Sequence, residues 1–483
     1  ALLGDANMNW ATRLAEGCRL IYVRHEHCAV AAAMAYARKT GQPGIATVTC
    51  GPGLTQIMTG LPAAVRARLP LVVFAGEAPL TSGWYNQAID QAPLVTATGA
   101  IYHSLHDVSL MPAAVRDAFI ETRSTRRPVV LGIPMDLQNR PWAGPQILPS
   151  PSRDLIPDCA PMPPNPEDLE RAARLIDGAE RIVVMAGLGA VEAEAALPCR
   201  TLAARIDALL ATTLPARGFF HDDAFSLGIA GGFSTETARE MLADADLIVA
   251  VGCSLASHNA DAGKIWPDAK VLQIDTAPVA ISQGRIAAHA HLRADAGLGT
   301  AALAEAVRPK QTAWRTEKTA RKLRKPSHDR EVFPVAPGEH DPRDVVAALD
   351  AALPGDWQLV NSSGHCSYFF AQMPRRRQTH FLTIREFGAI GNGISFAMGV
   401  AAACLGERVV LFDGDGSLMM HVQELETIQR HGLDVLIAVM NDGAYGSEIH
   451  KLRSESTPAP GPRRRRGCKT PIRDPKVSRS THP

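Results

Sequence analysis

Two short apolar runs in the last quarter of the chain constrain its fold most, because each ends in a cluster of acidic, amide and glycine residues. Val409–Phe412 leads into residues 413–416 (DGDG), and Val435–Met440 leads into residues 441–443 (NDG). Runs of this length bounded by turn residues predict buried strands, and helical spacing over Met420–Arg430 predicts a helix between them. A strand, a helix and a second strand predict a parallel pair in an α/β fold.

The two polar clusters are expected to lie together, because the carboxyl ends of parallel strands meet at one edge of a sheet. Asp415 and either Asn441 or Asp442 would then converge on one cation. Their oxygen-only donors suit Mg²⁺ that holds a diphosphate group. A calcium-binding loop is disfavoured, because Leu418 stands where that loop needs glycine.

Length and composition indicate an ordinary globular chain of about three domains. The 483 residues carry a formal net charge of +1, which gives no reason to expect a nucleic-acid or a membrane-surface partner. Nine cysteines are dispersed without a C-x-x-C pair, which favours reduced thiols in the cytoplasm over disulfides or a zinc site. No apolar run approaches the roughly 18 residues of a membrane span, and no signal peptide is visible.

The first 138 residues alternate apolar runs with helical segments, which predicts a parallel sheet. Leu20–Val23 is predicted as a short strand, followed by an alanine-rich helix over Cys28–Thr40 that Gly41 ends. His25 and His27 follow the predicted strand end, where alternate side chains point to opposite sides and no third ligand is near. A metal site is therefore not expected there.

Two proline-rich segments divide the chain into domains. Nine prolines between residues 139 and 166 predict a linker over 139–168, because such density fits neither a helix nor a central strand. A second linker, basic at first and then rich in proline, is predicted over 307–340. The predicted domains are residues 1–138, 169–306 and 341–453.

The GDG cluster, the helix-length spacer and the paired Asn/Asp resemble the signature of thiamine-diphosphate (ThDP) enzymes, the family of 2-oxo acid decarboxylases and acetohydroxyacid synthases. The resemblance extends over most of residues 1–450. It implies an N-terminal and a C-terminal ThDP-binding domain that flank a Rossmann-like central domain, each an open parallel sheet. It also implies Mg²⁺ ligation by Asp415, Asp442 and the Ala444 carbonyl. The family usually has Asn where Asp442 stands, so Asn441 remains an alternative ligand.

Residues 24–56, which begin RHEHCAVAA, resemble the pyrimidine-binding domain of the family. By that resemblance Glu26 contacts the aminopyrimidine ring of the coenzyme. A carboxylate there favours the tautomer that removes the thiazolium proton, while the coenzyme supplies the reactivity. Residues 51–53 (GPG) resemble a loop at the rim of the active site. Gln87 lies in a segment similar to another family motif and is expected to face the substrate.

Residues 387–393 (FGAIGNG) precede a predicted helix over Ile394–Ala403. The resemblance implies that the Gly388 carbonyl accepts a hydrogen bond from the 4′-amino group of the coenzyme. It also implies that Ile390 is the bulky side chain that bends the coenzyme. The remaining cofactor contacts implied by the resemblance are Gly414, Gly416, Ser417 and Asn441.

The central domain carries Gly187 and Gly189 after a predicted strand over Arg181–Met185. This pair is a weak indication of dinucleotide binding, because the third glycine of the motif is missing. In the resembling family the central domain binds FAD in acetohydroxyacid synthases and no nucleotide in many other members. FAD therefore remains an open prediction.

Residues 454–483 form an abnormal ending, with six Arg and two Lys against Glu455 and Asp474. This composition predicts a disordered basic tail. A nucleic-acid-binding arm is less favoured, because no aromatic residue interleaves the charges. Family members continue here with further helices and strands, so the third domain is expected to be incomplete and the chain truncated at both ends.

The function implied by the resemblance is decarboxylation of a 2-oxo acid followed by carboligation, as in an acetolactate synthase. A simple 2-oxo acid decarboxylase is the alternative, and a truncated, inactive non-enzyme is the alternative of another class. Glu26 and Asp415 lie in different domains, and in the family they meet across a subunit interface. A homodimer or homotetramer is therefore expected.

Overall fold

The computed structural model describes residues 1–142, 144, 149–277, 287–324, 335, 337–373 and 376–449. The strands of these residues form three sheets, of four, six and four strands, and the strands of each pair lie parallel. The predicted α/β class with three open parallel sheets is confirmed. The predicted tail over 454–483 lies outside the described residues.

The strands follow the chain in three groups. The first sheet, in the order β1-β2-β4-β3, contains β1 (Gly44–Val48), β2 (Leu71–Glu77), β3 (Ile101–Ser104) and β4 (Val129–Pro134). The central sheet, in the order β10-β9-β8-β5-β6-β7, contains β5 (Ile182–Ala186), β6 (Leu209–Thr212), β7 (Ser226–Ile229), β8 (Leu247–Val251), β9 (Lys270–Asp275) and β10 (Ala290–Arg293). The third sheet, in the order β12-β11-β13-β14, contains β11 (Gln358–Asn361), β12 (Phe381–Leu382), β13 (Val409–Gly414) and β14 (Val435–Met440).

Helices connect these strands. Around the first sheet lie α1 (Met8–Gly17), α2 (Glu26–Thr40), α3 (Pro52–Thr55), α4 (Gly60–Arg66), α5 (Gln91–Ala97), α6 (Met111–Thr125) and α7 (Ser152–Leu155). The central region contains α8 (Pro166–Asp177), α9 (Leu188–Glu192), α10 (Ala196–Arg205), α11 (Glu236–Ala243), α12 (Ser257–Ala260), α13 (Ala296–Ala306) and α14 (Glu317–Arg324). The third region contains α15 (Pro342–Ala352), α16 (His365–Ala371), α17 (Gly393–Ala403), α18 (Asp415–Met420) and α19 (Glu424–Arg430).

The central strands of each sheet are continuous apolar runs. Every residue of β4, β5 and β8 is buried, as is each of the first five residues of β13. Parallel sheets need such runs because helices cover both of their faces. β14 differs, since it forms an edge of the third sheet and all of its residues are partly or fully exposed.

The first and third sheets share one hydrophobic core, which α2 and α17 build between them. Both helices consist largely of small residues, so their backbones approach closely. A Cβ added to Gly399 of α17 would lie 2.8 Å from the Ala35 Cβ of α2 and closer still to the Ala32 carbonyl oxygen. The central sheet has separate cores of its own. The two outer predicted domains are thus in direct contact.

Two predicted elements differ from those observed. Leu20–Val23 is not a strand, because its backbone bonds to other partners: the Val23 amide donates to the Ala1 carbonyl and the Tyr22 amide donates to His431 Nε2. The helix predicted over Met420–Arg430 is divided into α18 and α19, and α18 already begins at Asp415.

No helix among the described residues is long and apolar enough to cross a membrane. The eight cysteines in the described part of the chain are all free thiols.

Candidate active site

The two polar clusters of the third sheet lie on neighbouring strand ends. β13 and β14 are paired in parallel, and the pairing register runs from Val409 opposite Val435 to Gly414 opposite Met440. Asp415 and Asn441 each follow the last paired residue of their strand. The structure thus brings the two clusters to the same sheet edge.

The loop after β14 is organised by its own side chains. Asn441 Oδ1 accepts a hydrogen bond from the Gly443 amide at 3.1 Å, and Asp442 Oδ1 accepts one from the Ala444 amide at 3.1 Å. Asp442 Oδ2 lies 4.0 Å from His365 Nδ1 at the start of α16. Asn441 and Asp442 are exposed, and Asp415 is half-buried. Each of these side chains therefore remains accessible to a ligand.

The GDG turn and the loop after β14 pack against each other at Gly416. A Cβ added to Gly416 would lie 2.7 Å from Cε1 of Tyr445. A side chain at position 416 would have to displace the exposed Tyr445 ring. The second glycine of the motif therefore leaves space for the Tyr445 ring to lie against the GDG turn.

Ser417 connects the GDG turn to the glycine-rich loop before α17. Its hydroxyl oxygen accepts a hydrogen bond from the Gly391 amide at 2.9 Å and lies 3.1 Å from the Ser362 hydroxyl. Gly391 has a φ of 90°, in the region that favours glycine. The predicted cofactor contacts Ser417, Gly388 and Ile390 thus belong to one group of connected loops.

Asp413 is a residue of this site that the sequence did not single out. It is fully buried, and its Oδ1 accepts a hydrogen bond from the Gly414 amide at 2.9 Å. Its Oδ2 has no hydrogen-bond partner and faces Gly393 at the start of α17. Burial raises the pKa of Asp413 to about 6, because charging a desolvated carboxylate is costly. The sequence feature that could have identified Asp413 is its position directly after the apolar run Val409–Phe412 and before Gly414.

Glu26 is the first residue of α2, where a carboxylate complements the helix dipole. A Cβ added to Gly53, in the GPG turn, would lie 3.4 Å from Glu26 Oε1. Gln87 approaches the same turn: the Cys50 thiol lies 3.4 Å from Gln87 Oε1. The three predicted segments of the first sheet thus meet at one rim.

The start of α2 also contacts the third sheet within the same chain. His27 Nε2 lies 2.5 Å from Asn392 Oδ1, directly before α17. The Arg24 amide donates to Oε1 of Glu424, a fully buried carboxylate, at 2.9 Å. Glu26 is therefore held between these two contacts, beside the glycine-rich loop. The contact predicted across a subunit interface remains a prediction.

The glycines of the central sheet are explained by packing. The Gly187 amide donates to the Val251 carbonyl at 2.8 Å, and a Cβ on Gly189 would lie 2.9 Å from the Gly252 Cα. Glycines allow this close approach of two strand ends. The pair therefore has a structural role whether or not a nucleotide binds there.

Comparison with known proteins gives three family matches along the chain. "Thiamine pyrophosphate enzyme, N-terminal TPP binding domain" matches residues 1–94, and "Thiamine pyrophosphate enzyme, central domain" matches residues 169–303. "Thiamine pyrophosphate enzyme, C-terminal TPP binding domain" matches residues 362–472. The matches follow the order of the three sheets.

Similar proteins are acetolactate synthases. The large subunit from Parasynechococcus marenigrum (strain WH8102) is 31% identical over 88% of this chain and 70% of its own length. Acetolactate synthase 2, chloroplastic, from Nicotiana tabacum is 30% identical over 89% of this chain and 66% of its own length. The probable acetolactate synthase large subunit from Methanocaldococcus jannaschii is 28% identical over 88% of this chain and 74% of its own length. The chain thus spans about two thirds to three quarters of these relatives.

Proposed function

The chain belongs to the family of thiamine pyrophosphate-dependent enzymes, and we propose that it decarboxylates a 2-oxo acid and joins the product to a second carbonyl compound. The observation that carries this proposal is the pairing of β13 with β14, which sets Asp415 beside the Asn441–Asp442 loop. The relatives named as acetolactate synthases favour carboligation over simple decarboxylation. A 2-oxo acid decarboxylase is the alternative that product analysis separates.

We propose that Asp415, Asp442 and the Ala444 carbonyl hold Mg²⁺. The set is composed of oxygen donors only, which suits a hard cation. Asn441 and Asp442 each use one oxygen inside the loop, but only Asp442 has a second side-chain oxygen to offer. Asp442 is therefore the better ligand, and Asn441 is left to shape the loop and to contact the diphosphate.

The residues around this edge also fit the coenzyme. Gly388, Gly414 and Gly416 carry no side chain that would block a diphosphate or a ring, and Ser417 fixes the loop that carries Ile390. When bound, thiamine diphosphate supplies the electron-accepting ring that makes loss of CO₂ from a 2-oxo acid feasible. The chain supplies the contacts that bind and orient it.

Glu26 is proposed to hold a proton in a hydrogen bond with the pyrimidine ring. Its place at the first position of α2, beside the glycine-rich loop, would position the carboxyl group for that bond. Gln87 is proposed to orient the substrate: Cys50 is beside its amide oxygen, so the amide nitrogen is left to donate to a carboxylate or carbonyl. Both residues thus act by hydrogen bonding rather than by covalent chemistry.

A homodimer or homotetramer is proposed because the ThDP-binding domains of the family meet between subunits. FAD binding in the central domain remains open, since packing already explains Gly187 and Gly189. Light scattering of the purified chain, with and without the coenzyme, tests the assembly. Bound flavin would be seen by its absorption after purification.

The central experiment is a titration of the chain with thiamine diphosphate and Mg²⁺, followed by near-ultraviolet circular dichroism. Acetolactate formed from pyruvate would support the carboligase, and aldehyde would support the decarboxylase. No spectral response and no turnover would instead favour the inactive, non-enzyme alternative.

Glu26→Gln tests the role of the carboxylate, with Glu16→Gln on exposed α1 as the matched control. We expect turnover of pyruvate to fall by about 10²–10⁴-fold in the first variant, the usual contribution of a positioned proton-transfer group. The control should retain full turnover. Undiminished turnover in Glu26→Gln would remove this residue from the mechanism.

A further inference from the structure

Three histidines and a cysteine converge where α2 meets the turn between α18 and α19. One ligand atom from each of His25, Cys28 and His421 lies within 4.8 Å of the other two. The His27 ring stacks on His421, with centroids 5.3 Å apart and an angle of 12° between the planes. This cluster is separate from the oxygen ligands at the edge of β13 and β14.

The sequence argument against a metal here depended on a strand that the structure does not contain. His25 caps α2 by accepting a hydrogen bond from the His27 amide at 3.1 Å, so His25 and Cys28 are separated by about one helical turn. Side chains at this spacing lie on the same side of a helix. The missing third ligand, His421, comes from the other end of the chain.

The hydrogen bonds of His421 leave a ring nitrogen free for a metal. Its Nδ1 lies 2.8 Å from the Gly391 carbonyl oxygen, which can only accept, so Nδ1 carries the proton. The other nitrogen, Nε2, then has an available lone pair. Metal-binding histidines commonly make this hydrogen bond to a backbone carbonyl, which fixes the orientation of the ring.

Burial disfavours the charged forms of His25, His27 and Cys28. It lowers the pKa of His25 and of His27, and the neighbouring His421 lowers both further. Burial also raises the pKa of the Cys28 thiol, and the Glu424 carboxylate raises it further. Neutral imidazole is the form that binds metals. The thiol would lose its proton only when a cation takes its place.

We propose that His25, Cys28 and His421 bind a zinc ion that fastens the start of α2 to the α18–α19 turn. Imidazole and thiolate ligands select zinc over the hard Mg²⁺. On binding, the His27 amide releases the His25 Nδ1 atom, whose lone pair then bonds to zinc. The Cys28 S–H bond breaks, a sulfur–zinc bond forms and the thiol proton passes to solvent. Tetrahedral zinc holds such ligand atoms roughly 3.3–3.7 Å apart, so side-chain rotations of about 1 Å close the site.

The proposed ion would connect the first sheet to the third, because His25 caps α2, Cys28 lies within α2 and His421 follows α18. Glu26 lies between His25 and Cys28 in the chain, so its backbone position would be fixed by the same ion. Three protein ligands leave the fourth position to water. The site is independent of the proposed Mg²⁺ site, and its failure would leave the proposed activity untouched.

The test is a titration of the metal-free, full-length chain with Co²⁺, a spectroscopic substitute for zinc, in excess Mg²⁺ so that oxygen sites are filled. We expect one bound Co²⁺ per chain, a near-ultraviolet thiolate-to-cobalt absorption band, and displacement of the Co²⁺ by Zn²⁺. Cys28→Ser should abolish the band. His421→Asn should lower the affinity for Co²⁺ by about 10–100-fold or more. Loss of a residue that only hydrogen-bonds to a metal ligand already costs that much.

Cys404→Ser and His106→Asn serve as matched controls, since both residues lie outside the cluster, and each should bind Co²⁺ like the unaltered chain. Far-ultraviolet circular dichroism verifies that each variant is folded. Absence of a thiolate-linked cobalt site in the unaltered chain overturns the proposal whether or not the variants fold. A band that persists in folded Cys28→Ser overturns it as well.

Discussion

Replacement of Gly399 by alanine tests whether the first and third sheets are held together by backbone contact between α2 and α17. The added methyl group would lie 2.8 Å from the Ala35 Cβ and closer still to the Ala32 carbonyl oxygen. Normal carbon contacts are about 3.5–4.0 Å. A carbonyl oxygen in a helix cannot rotate aside, so α17 must retreat from α2 by about 1 Å.

Two opposing free energies decide the outcome of Gly399→Ala. Overpacking in a tight core costs about 1–3 kcal/mol. Alanine in place of glycine inside a helix contributes about 1 kcal/mol in the other direction. Because the obstructing atoms include backbone, we place the packing cost at the upper end of its range. The expected net loss of stability is about 2 kcal/mol.

Amide hydrogen exchange in α2 and α17 measures this loss where it arises. A loss of about 2 kcal/mol accelerates exchange through opening of the shared core by about 30-fold. The central sheet, with its separate cores, should exchange as in the unaltered chain. The matched control is Gly17→Ala at the end of α1, where an added Cβ meets nothing within 4 Å. That variant should be neutral or slightly more stable.

The reasoning would be refuted by Gly399→Ala protein whose α2 and α17 amides exchange as slowly as those of Gly17→Ala. Such slow exchange would mean that α2 and α17 do not touch in solution. Acceleration spread equally over the central sheet would also contradict the expectation, since it would mean that the whole chain opens as one unit.

Two further predictions concern the edge of the third sheet. In metal-free protein, the raised pKa of Asp413, about 6 against an ordinary 3.8, means that the folded state holds a proton which the unfolded state has released. Stability should therefore fall by on the order of 3 kcal/mol as pH rises from 4 to above 6, and denaturation of Asp413→Asn should lack this decline. Asp158→Asn, at an exposed position, is the control, and a decline that persists in Asp413→Asn would contradict the assignment. Gly416→Ala should displace Tyr445 and weaken Mg²⁺-dependent coenzyme binding, measured by calorimetry, about tenfold. The double variant Gly416→Ala with Tyr445→Ala should regain the affinity. Unchanged affinity in Gly416→Ala would refute the argument from close approach.

The sequence was most informative where chain connectivity dictates geometry. A strand, a helix and a strand in succession leave little choice about where the two polar clusters end, so the meeting of Asp415 with the 441–443 loop was predictable. The strands β4, β8 and β13 were also predictable from the sequence, because strands buried on both faces are continuous apolar runs without alternating polar residues.

Long-range contacts were the main source of error. Leu20–Val23 is apolar enough for a strand, but its backbone bonds to Ala1 and to His431, about 400 residues away. The helix predicted over Met420–Arg430 is interrupted where His421 bonds to the Gly391 carbonyl. The local periodicity of a sequence does not indicate such distant hydrogen-bond partners. The same contact places His421 beside His25 and His27, so the proposed zinc cluster could not be found from spacing alone.

The shared core of α2 and α17 also bears on how the chain is made. More than 350 residues separate the end of α2 from the start of α17. At about 5–20 residues per second, a ribosome needs roughly 20–70 s to synthesise that interval. During this time the alanine-rich side of α2 has emerged and is still without its helix partner. The nascent chain should therefore depend on chaperones until its third sheet is complete.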